Sequence, residues 1–155
     1  MIVVSDTSCV TNLIVIGRAE LLHELFGEVI VPAAVAEELR SSHTALPAFT
    51  SVREVQDVLA VARFAQAKLD RGESEAIVLA EELRAEFLLI DEVDGRAVAV
   101  SRRLRVIGLL GVLIRAKQLG LIAAVKPLVD ELANKAGFWI SAALRQRALE
   151  AAGEA

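Results

Sequence analysis

The sequence predicts a single α/β domain in which a parallel β-sheet is covered by helices on both faces. Short apolar runs typical of buried strands alternate with amphipathic stretches of helical periodicity along all 155 residues. Hydrophobic residues make up 55% of the chain and aromatic residues only 4%, so aliphatic side chains must fill the interior. No repeat, low-complexity tract or linker divides residues 1–155, and this length suits one core.

The N-terminal part predicts the first two strands and the helices that follow them. Ile2–Ser5 is a continuous apolar run rich in β-branched residues, which is typical of a strand. Polar residues then lead into an apolar helical pattern that continues through Leu25. Val29–Val31 predicts the second strand, and Pro32 suits the first turn of a helix that runs to about Arg40.

The rest of the chain continues the alternation after a loop at residues 43–50. Further strands are predicted at Val52–Val55, Phe87–Ile90 and Val106–Ile107. Gly72 is expected to break the chain before a helix. Helical periodicity predicts the segments Asp57–Leu69, Glu73–Arg84, Asp94–Arg103, Leu110–Leu119, Val125–Asn134 and Ser141–Ala152. The last two form a helical C-terminal extension over residues 125–155.

Composition excludes several classes of protein. One Cys and two His rule out a disulfide framework and a zinc-finger ligand set. No segment supplies the roughly 20 apolar residues of a membrane span, and the N-terminus lacks the pattern of a secretory signal. We therefore expect a soluble, cytoplasmic protein with no membrane partner. Because 21 acidic residues are the plentiful reactive groups, oxygen ligands are the first chemistry to consider.

Charge is distributed unevenly along the chain. Residues 95–129 contain seven basic residues and no acid, which leaves a charge of −11 on the rest of a chain whose net charge is −4. A basic segment of this kind can meet a polyanion if its side chains fold onto one face. The alternative is that these residues are solvated positions on helices.

Two acidic residues occupy the same position relative to a strand. Asp6 directly follows Ile2–Ser5, and Asp91 directly follows Phe87–Ile90. The carboxyl ends of parallel strands share one edge of a sheet, where open α/β folds bind ligands. The two carboxylates therefore converge if the first and fourth strands are neighbours, although each residue could instead cap the following helix.

Helices supply two further acids. Glu38 lies about one and a half turns into the helix after Pro32. In the helix after Gly72, Glu73 points toward the apolar face, whereas Glu75 lies at the margin of that face. Glu73 is the better inward candidate, and Glu75 remains the alternative.

Four carboxylates in one cleft repel one another unless a cation lies between them. Mg²⁺ takes oxygen ligands, keeps several waters and bridges to phosphate oxygens, so this arrangement suits phosphodiester hydrolysis. Thr7, Ser8 and Asn12 follow Asp6 and could support bound water or phosphate.

Four ordered segments of the chain resemble PIN-domain nucleases. They are Asp6-Thr7-Ser8 after an N-terminal strand, Val31–Leu39, Gly72–Ile77 and Leu88–Asp91. Two later segments, Gly108–Leu113 and Gly137–Ser141, are similar to a prokaryotic branch of that superfamily of unknown function, related to VapC-type toxins.

This resemblance implies a three-layer α/β/α sandwich and Mg²⁺- or Mn²⁺-dependent endoribonuclease activity. The family's first, second and fourth acids fall on Asp6, Glu38 and Asp91, and the third falls on Glu73, 18 residues before Asp91. Further metal-ligand candidates are Asp94 and Glu75. The residues expected to contact RNA are Arg96, Arg102, Arg103 and Arg105.

The resemblance also implies partners besides RNA. As a toxin, the protein would be paired with a small antitoxin that covers the cleft. A homodimer is expected because aliphatic helices such as Leu110–Leu119 exceed what one core can bury. The alternative function is a non-catalytic PIN-like module that binds RNA or a protein partner.

Overall fold

A five-stranded sheet forms the centre of the protein. The computed structural model describes residues 1–43 and 45–155, so Thr44 of the predicted loop lies outside the described residues. In the described chain the strands are β1 (Val3–Ser5), β2 (Val29–Pro32), β3 (Thr50–Arg53), β4 (Phe87–Leu89) and β5 (Val106–Ile107). Their order across the sheet is β3-β2-β1-β4-β5, and all neighbours are parallel.

Helices connect the strands and cover both faces of the sheet. Those in the described residues are α1 (Thr7–Val15), α2 (Glu20–Phe26), α3 (Ala33–Ser42), α4 (Val58–Gln66), α5 (Arg71–Leu83), α6 (Val93–Ser101), α7 (Leu109–Gln118), α8 (Lys126–Ala136) and α9 (Ala142–Ala151). Val3 and Leu89 belong to one buried cluster, whereas their neighbours Val4 and Leu88 belong to another. Since successive side chains point to opposite faces of a strand, both faces are buried. The predicted three-layer α/β/α architecture is confirmed.

Two local predictions were wrong. The helical pattern after Ser8 is divided by a turn at Gly17, so α1 and α2 are separate helices whose apolar faces contribute to the same core. Gly72 does not break the chain, because α5 begins one residue earlier and is capped by Asp70. A glycine is tolerated in the first turn of a helix, where a full set of helical hydrogen bonds is not yet required.

The C-terminal helices pack onto the same core as the sheet. Leu128 and Leu132 of α8 are buried in the cluster that contains Val3 and Leu89. Beyond α9, the Glu154 carboxylate accepts hydrogen bonds from the backbone N–H groups of Val125 at 2.7 Å and Lys126 at 3.0 Å, and from Lys117 Nζ at 3.0 Å. The residues that follow α9 therefore cap the start of α8.

Helix α7 buries much of its aliphatic surface within the chain. Its aliphatic residues Leu109, Val112 and Leu113 are fully buried within the chain itself. Helix α7 packs against α2, α9 and β5, whereas Leu119, at the end of the predicted segment, is 67% exposed. The homodimer therefore stays a prediction. Among the described residues, no helix combines the length and apolar character needed to cross a lipid bilayer.

Candidate functional site

An acidic cleft of about 810 Å³ opens at the edge of the sheet where the strands have their carboxyl ends. In the described chain, its lining includes no Lys or Arg but seven acidic residues: Asp6, Glu37, Glu38, Asp70, Glu73, Asp91 and Glu92. The other lining residues are Thr7, Ser8, Thr11, Asn12, Ser41, Ser42 and Phe138. All four acids predicted as catalytic therefore reach one cavity.

The sheet itself positions Asp6 and Asp91. Strands β1 and β4 are neighbours, which meets the condition for the two strand-end acids to converge, and Ser5 is paired to Leu89. The N–H of Asp6 donates to the carbonyl of Leu89 at 2.9 Å, so the parallel ladder continues to the first acid. Asp91 lies two residues beyond Leu89. The two carboxylates share an edge because each is the polar residue that ends a buried strand.

Two donors from other elements fix the Asp91 carboxylate. The N–H of Leu109, at the start of α7, donates to Oδ1 at 2.9 Å, and the Cys9 thiol donates to Oδ2 at 3.2 Å. A Cβ on Gly108 would lie 2.5 Å from Arg96 Nη1 and 2.8 Å from Asp91 Oδ1, so a larger residue there would force these side chains to shift. Burial, together with the nearby Asp91 charge, raises the pKa of the Cys9 thiol well above its ordinary value, which keeps it a donor.

Glu38 is held by the first turn of α1. Thr7 Oγ1 donates to Glu38 Oε2 at 2.7 Å, which links α1 to α3 across the cleft. The other oxygen of Glu38 lies against Gly72, where a Cβ would be only 2.7 Å from Oε1 and 3.5 Å from Asp6 Oδ1. The missing side chain at Gly72 thus leaves the room in which Glu38 and Asp6 come together.

The N-terminus of α5 presents Glu73 through a capping box. Asp70 Oδ1 accepts from the Glu73 N–H at 2.7 Å, and Glu73 Oε2 accepts from the Asp70 N–H at 3.1 Å. Both carboxylates face the cleft, and Glu73 is 8% exposed. Because one Glu73 oxygen is already used in the cap, its other oxygen is the one open to a ligand.

Burial and like charges make the cleft unfavourable for anions. Asp6 is only 5% exposed, and its burial raises its pKa from 3.8 to about 7, with further contributions from the charges of Asp70, Glu73 and Glu38. The pKa of Glu73 is also raised, again mainly by burial. The charged form of both residues is therefore destabilised unless a cation enters the cleft.

The donor set fits a hard divalent cation. Carboxylate and hydroxyl oxygens line the cleft, which are the ligand types that Mg²⁺ and Mn²⁺ prefer. Among the described residues, no group of three or more Asp, Glu, His or Cys side chains is preassembled to hold a metal ion. Mg²⁺ commonly keeps several of its waters and binds through one or two carboxylates, so this open arrangement suits it.

Two predicted metal-ligand candidates lie outside the cleft. Glu75 instead accepts hydrogen bonds from the Ala34 N–H and from Arg71 Nε, both at 3.0 Å, so it caps α3. It points there because it is two residues, or about 200°, around α5 from Glu73. Asp94 is exposed in the first turn of α6 and does not line the cleft, whereas Glu92, which caps that helix, does.

The predicted RNA-contacting arginines do not form one surface. Arg96 lies beside the cleft, where its Nη1 donates to the carbonyl of Ile90 at 3.1 Å. Arg102 pairs with Glu81 at 2.8 Å, and Arg105 lies over the Phe87 ring. Arg102, Arg103 and Arg105 all follow α6. This helix leads from the carboxyl ends of the strands back to their amino ends, so the three arginines lie away from the acids of the cleft.

Sequence reasoning missed three acids of the cleft: Glu37, Asp70 and Glu92. Asp70 carried a usable signal, because Asp-x-x-Glu before an apolar helical run is typical of a capping box. Glu37 is adjacent to Glu38, and both lie on the exposed side of α3. Glu92 had no distinguishing pattern.

The comparison with known families agrees with this fold. The model of the family DUF3368, described as a PIN domain, matches residues 2–154. Neither a curated protein nor a solved structure matches the chain. Since the family match spans nearly every residue, it includes the sheet, the acidic cleft and the C-terminal helices. The chain belongs to the PIN-domain family DUF3368.

Proposed function

We propose that the protein is a metal-dependent endoribonuclease that uses the acidic cleft as its active site. Membership of the PIN-domain family supports a nuclease-like module. The observation that carries the finer proposal is the convergence of Asp6, Glu38, Glu73 and Asp91 in a cleft whose described lining has no basic side chain. Such a cleft repels a phosphodiester unless a cation is bound, so the chemistry requires a metal.

Asp6, Glu38, Glu73 and Asp91 are the residues that would hold Mg²⁺ or Mn²⁺. When bound, the ion supplies positive charge that stabilises the attacking and leaving oxygens of phosphodiester hydrolysis. Thr7 orients Glu38 by donating to Oε2, and Leu109 and Cys9 orient Asp91. These donors restrict the carboxylates before any ligand arrives, which lowers the cost of ordering them.

The hydroxyl and amide groups beside Asp6 complete the proposed reaction site. Ser8, Thr11 and Asn12 line the same wall of the cleft on the first turns of α1. They can donate hydrogen bonds to a phosphate oxygen or orient a water without adding charge. RNA would therefore be positioned by neutral donors and by the cation.

We also propose a cellular role, on the basis of the resemblance of Gly108–Leu113 and Gly137–Ser141 to a PIN-domain branch related to VapC-type toxins. In this role the protein acts in the cytoplasm, and a small antitoxin covers the acidic cleft until it is removed. Induced expression should then arrest growth, and co-expression of a short protein encoded beside this gene should restore it. Growth that continues under induction of an active nuclease would favour a solitary enzyme instead.

The test is cleavage of a panel of structured RNAs by the purified protein. We expect cleavage with Mn²⁺ or Mg²⁺, none with EDTA, and a loss of at least about a hundredfold in Asp6→Asn. Asp94→Asn is the matched control, because Asp94 is exposed outside the cleft. Absence of cleavage together with absence of metal binding by calorimetry would leave a non-catalytic PIN-like binding module as the function.

A further inference from the structure

A second groove of about 670 Å³ adjoins the acidic cleft. It runs beside the edge strand β5 and between α7 and the segment that leads into α9. Asp91 and Phe138 line both cavities, so the groove is continuous with the proposed active site. A polymer bound across Asp91 would therefore extend from one cavity into the other.

The groove presents the single Trp of the chain to solvent. Trp139 is 73% exposed, although large aromatic residues are usually mostly buried. Val93, which also lines the groove, is 76% exposed. An exposed indole beside a polar cleft offers a flat surface on which a nucleobase can stack.

The groove also supplies the positive charge that the acidic cleft lacks. Arg96 and Arg115 line it, and in the described chain neither is paired with a carboxylate. The Arg96 Nη1 bond to the Ile90 carbonyl fixes this guanidinium next to Asp91. The guanidinium of Arg115 is held 4.6 Å from the centre of the Phe87 ring. Because Phe87 begins β4, Arg115 lies at the end of the groove away from Asp91, whereas Arg96 lies at the near end. Both side chains are thus positioned, and both keep donors for phosphate oxygens.

We propose that this groove binds unpaired nucleotides next to the scissile phosphate, with a base stacked on Trp139 and the backbone phosphates at Arg96 and Arg115. The inference rests on the proposed ribonuclease function and adds to it a nucleotide-binding groove beside β5 and α7. Bases in a duplex are stacked on one another and cannot lie on an indole, whereas unpaired bases can. The acids would act on a scissile phosphate in the cleft, while the groove holds the nucleotides next to it.

Charge and continuity favour RNA over the other occupants of such a surface. A peptide added to β5 or a second copy of the chain would use the apolar lining, but neither needs two unpaired guanidinium groups beside a phosphodiester-cleaving cleft. Those occupants remain outcomes of the test.

Trp139 itself is the probe, because the chain has one Trp and no Tyr. Asp6→Asn protein, which leaves RNA intact, is titrated with a short oligouridylate, with an RNA duplex of the same length and with inorganic polyphosphate. We expect the oligouridylate to quench the Trp139 emission, and the duplex and polyphosphate to quench it much less. Equal quenching by polyphosphate would show a simple anion site and overturn base stacking.

Substitutions then locate the contact, with affinity measured by the anisotropy of labelled oligouridylate. Trp139→Ala should weaken binding about tenfold or more, and Trp139→Phe should restore most of the loss. Arg115→Ala should lower the slope of log Kd against log salt by about 0.7. The controls are Leu59→Ala and Arg63→Ala on α4, which are exposed and outside the groove, and they should change neither quantity.

The failure of this inference is separable from failure of the proposed function. Quenching by oligouridylate without metal-dependent cleavage would retain the groove as an RNA site and refute the nuclease. Cleavage of RNA with unchanged Trp139 emission, or with Trp139→Ala at the wild-type KM, would overturn the groove. Emission that changes on dilution of the free protein would show a second copy on this surface and also overturn it.

Discussion

The substitution Asp6→Asn should stabilise the metal-free protein and should also abolish the metal-dependent activity. Asp6 is 5% exposed among other acids, and its pKa is raised from 3.8 to about 7, mainly by burial. Folding near or above pH 7 must therefore place a charge where it is poorly solvated. An amide of nearly the same shape carries no charge, so Asp6→Asn removes this cost.

The size and pH dependence of the effect follow from the pKa of Asp6. A raised pKa means that the folded state holds its proton more tightly than the unfolded state, so stability falls as the pH rises from 3.8 through about 7. The full cost above that range is roughly 4 kcal/mol, at 1.36 kcal/mol for each pH unit between the two pKa values. The gain from Asp6→Asn should be near zero at about pH 4 and approach this value at about pH 8.

Urea unfolding with EDTA, followed at several pH values, measures this gain. Asp94→Asn makes the same chemical change at an exposed acid and should alter the unfolding free energy by less than about 0.5 kcal/mol at every pH. A variant Asp6→Asn that is less stable than the wild type at about pH 8 would refute the account of a buried, destabilising carboxylate.

The same urea unfolding experiment can be repeated with metal in place of EDTA. Saturation with Mg²⁺ or Mn²⁺ should stabilise the wild type, by about 2.7 kcal/mol at a hundredfold excess over Kd. Asp6→Asn should lose most of this increment because it removes a proposed ligand. Equal stabilisation of both proteins would exclude Asp6 from the metal site.

Three other substitutions test separate parts of the structure. Gly72→Ala would place a Cβ 2.7 Å from Glu38 Oε1. We expect metal-dependent cleavage to fall about tenfold, while the free energy of unfolding in urea changes by less than about 1 kcal/mol. Cleavage at the wild-type rate would show that the close contact between Gly72 and Glu38 does not matter for activity. Glu154→Ala removes the cap of α8 and should cost about 1–2 kcal/mol at neutral pH. The hydrogen bonds from Val125 and Lys126 help to lower the pKa of Glu154 from 4.5 to about 2. The extra stability of the wild type over Glu154→Ala should therefore be complete above pH 4.5 and disappear as the pH falls through about 2. An unchanged urea midpoint at neutral pH would refute the cap. Leu113→Ala should cost about 2–5 kcal/mol at any protein concentration, since Leu113 is buried in its own chain; a cost that grows on dilution would instead place α7 in an interface.

The alternation of strands and helices could be predicted because each element carries its pattern locally. β1 and β4 are apolar runs buried on both faces, and the acid that ends each run marks a position at the carboxyl-end edge of a parallel sheet. The choice of Glu73 over Glu75 followed from angles around one helix, which depend on sequence alone. The separation of α1 from α2 was missed because both helices present apolar residues to the same core, although Gly17, with a φ of 71°, is a usual signal for a helix end.

The arginines show where sequence proximity fails. Arg96 and Arg102 are only six residues apart. Because α6 rises about 1.5 Å per residue, it carries Arg102 away from the carboxyl ends of the strands and toward their amino ends. Arg96 therefore lies beside Asp91, while Arg102 is paired with Glu81. A basic segment in the sequence does not become one basic surface when it includes a helix that separates its residues in space.

The sequence by itself determined the α/β class, the two strand-end acids and the preference for oxygen ligands, because these depend on local periodicity and on residue type. Tertiary structure decided which other acids join Asp6 and Asp91, since Asp70 and Glu92 reach the cleft through the packing of α5 and α6. It also left Trp139 exposed beside that cleft, although an apolar residue is by pattern a candidate for the core. The physical reason is that burial and charge repulsion depend on which segments meet in space, and contacts between distant segments have no local signature.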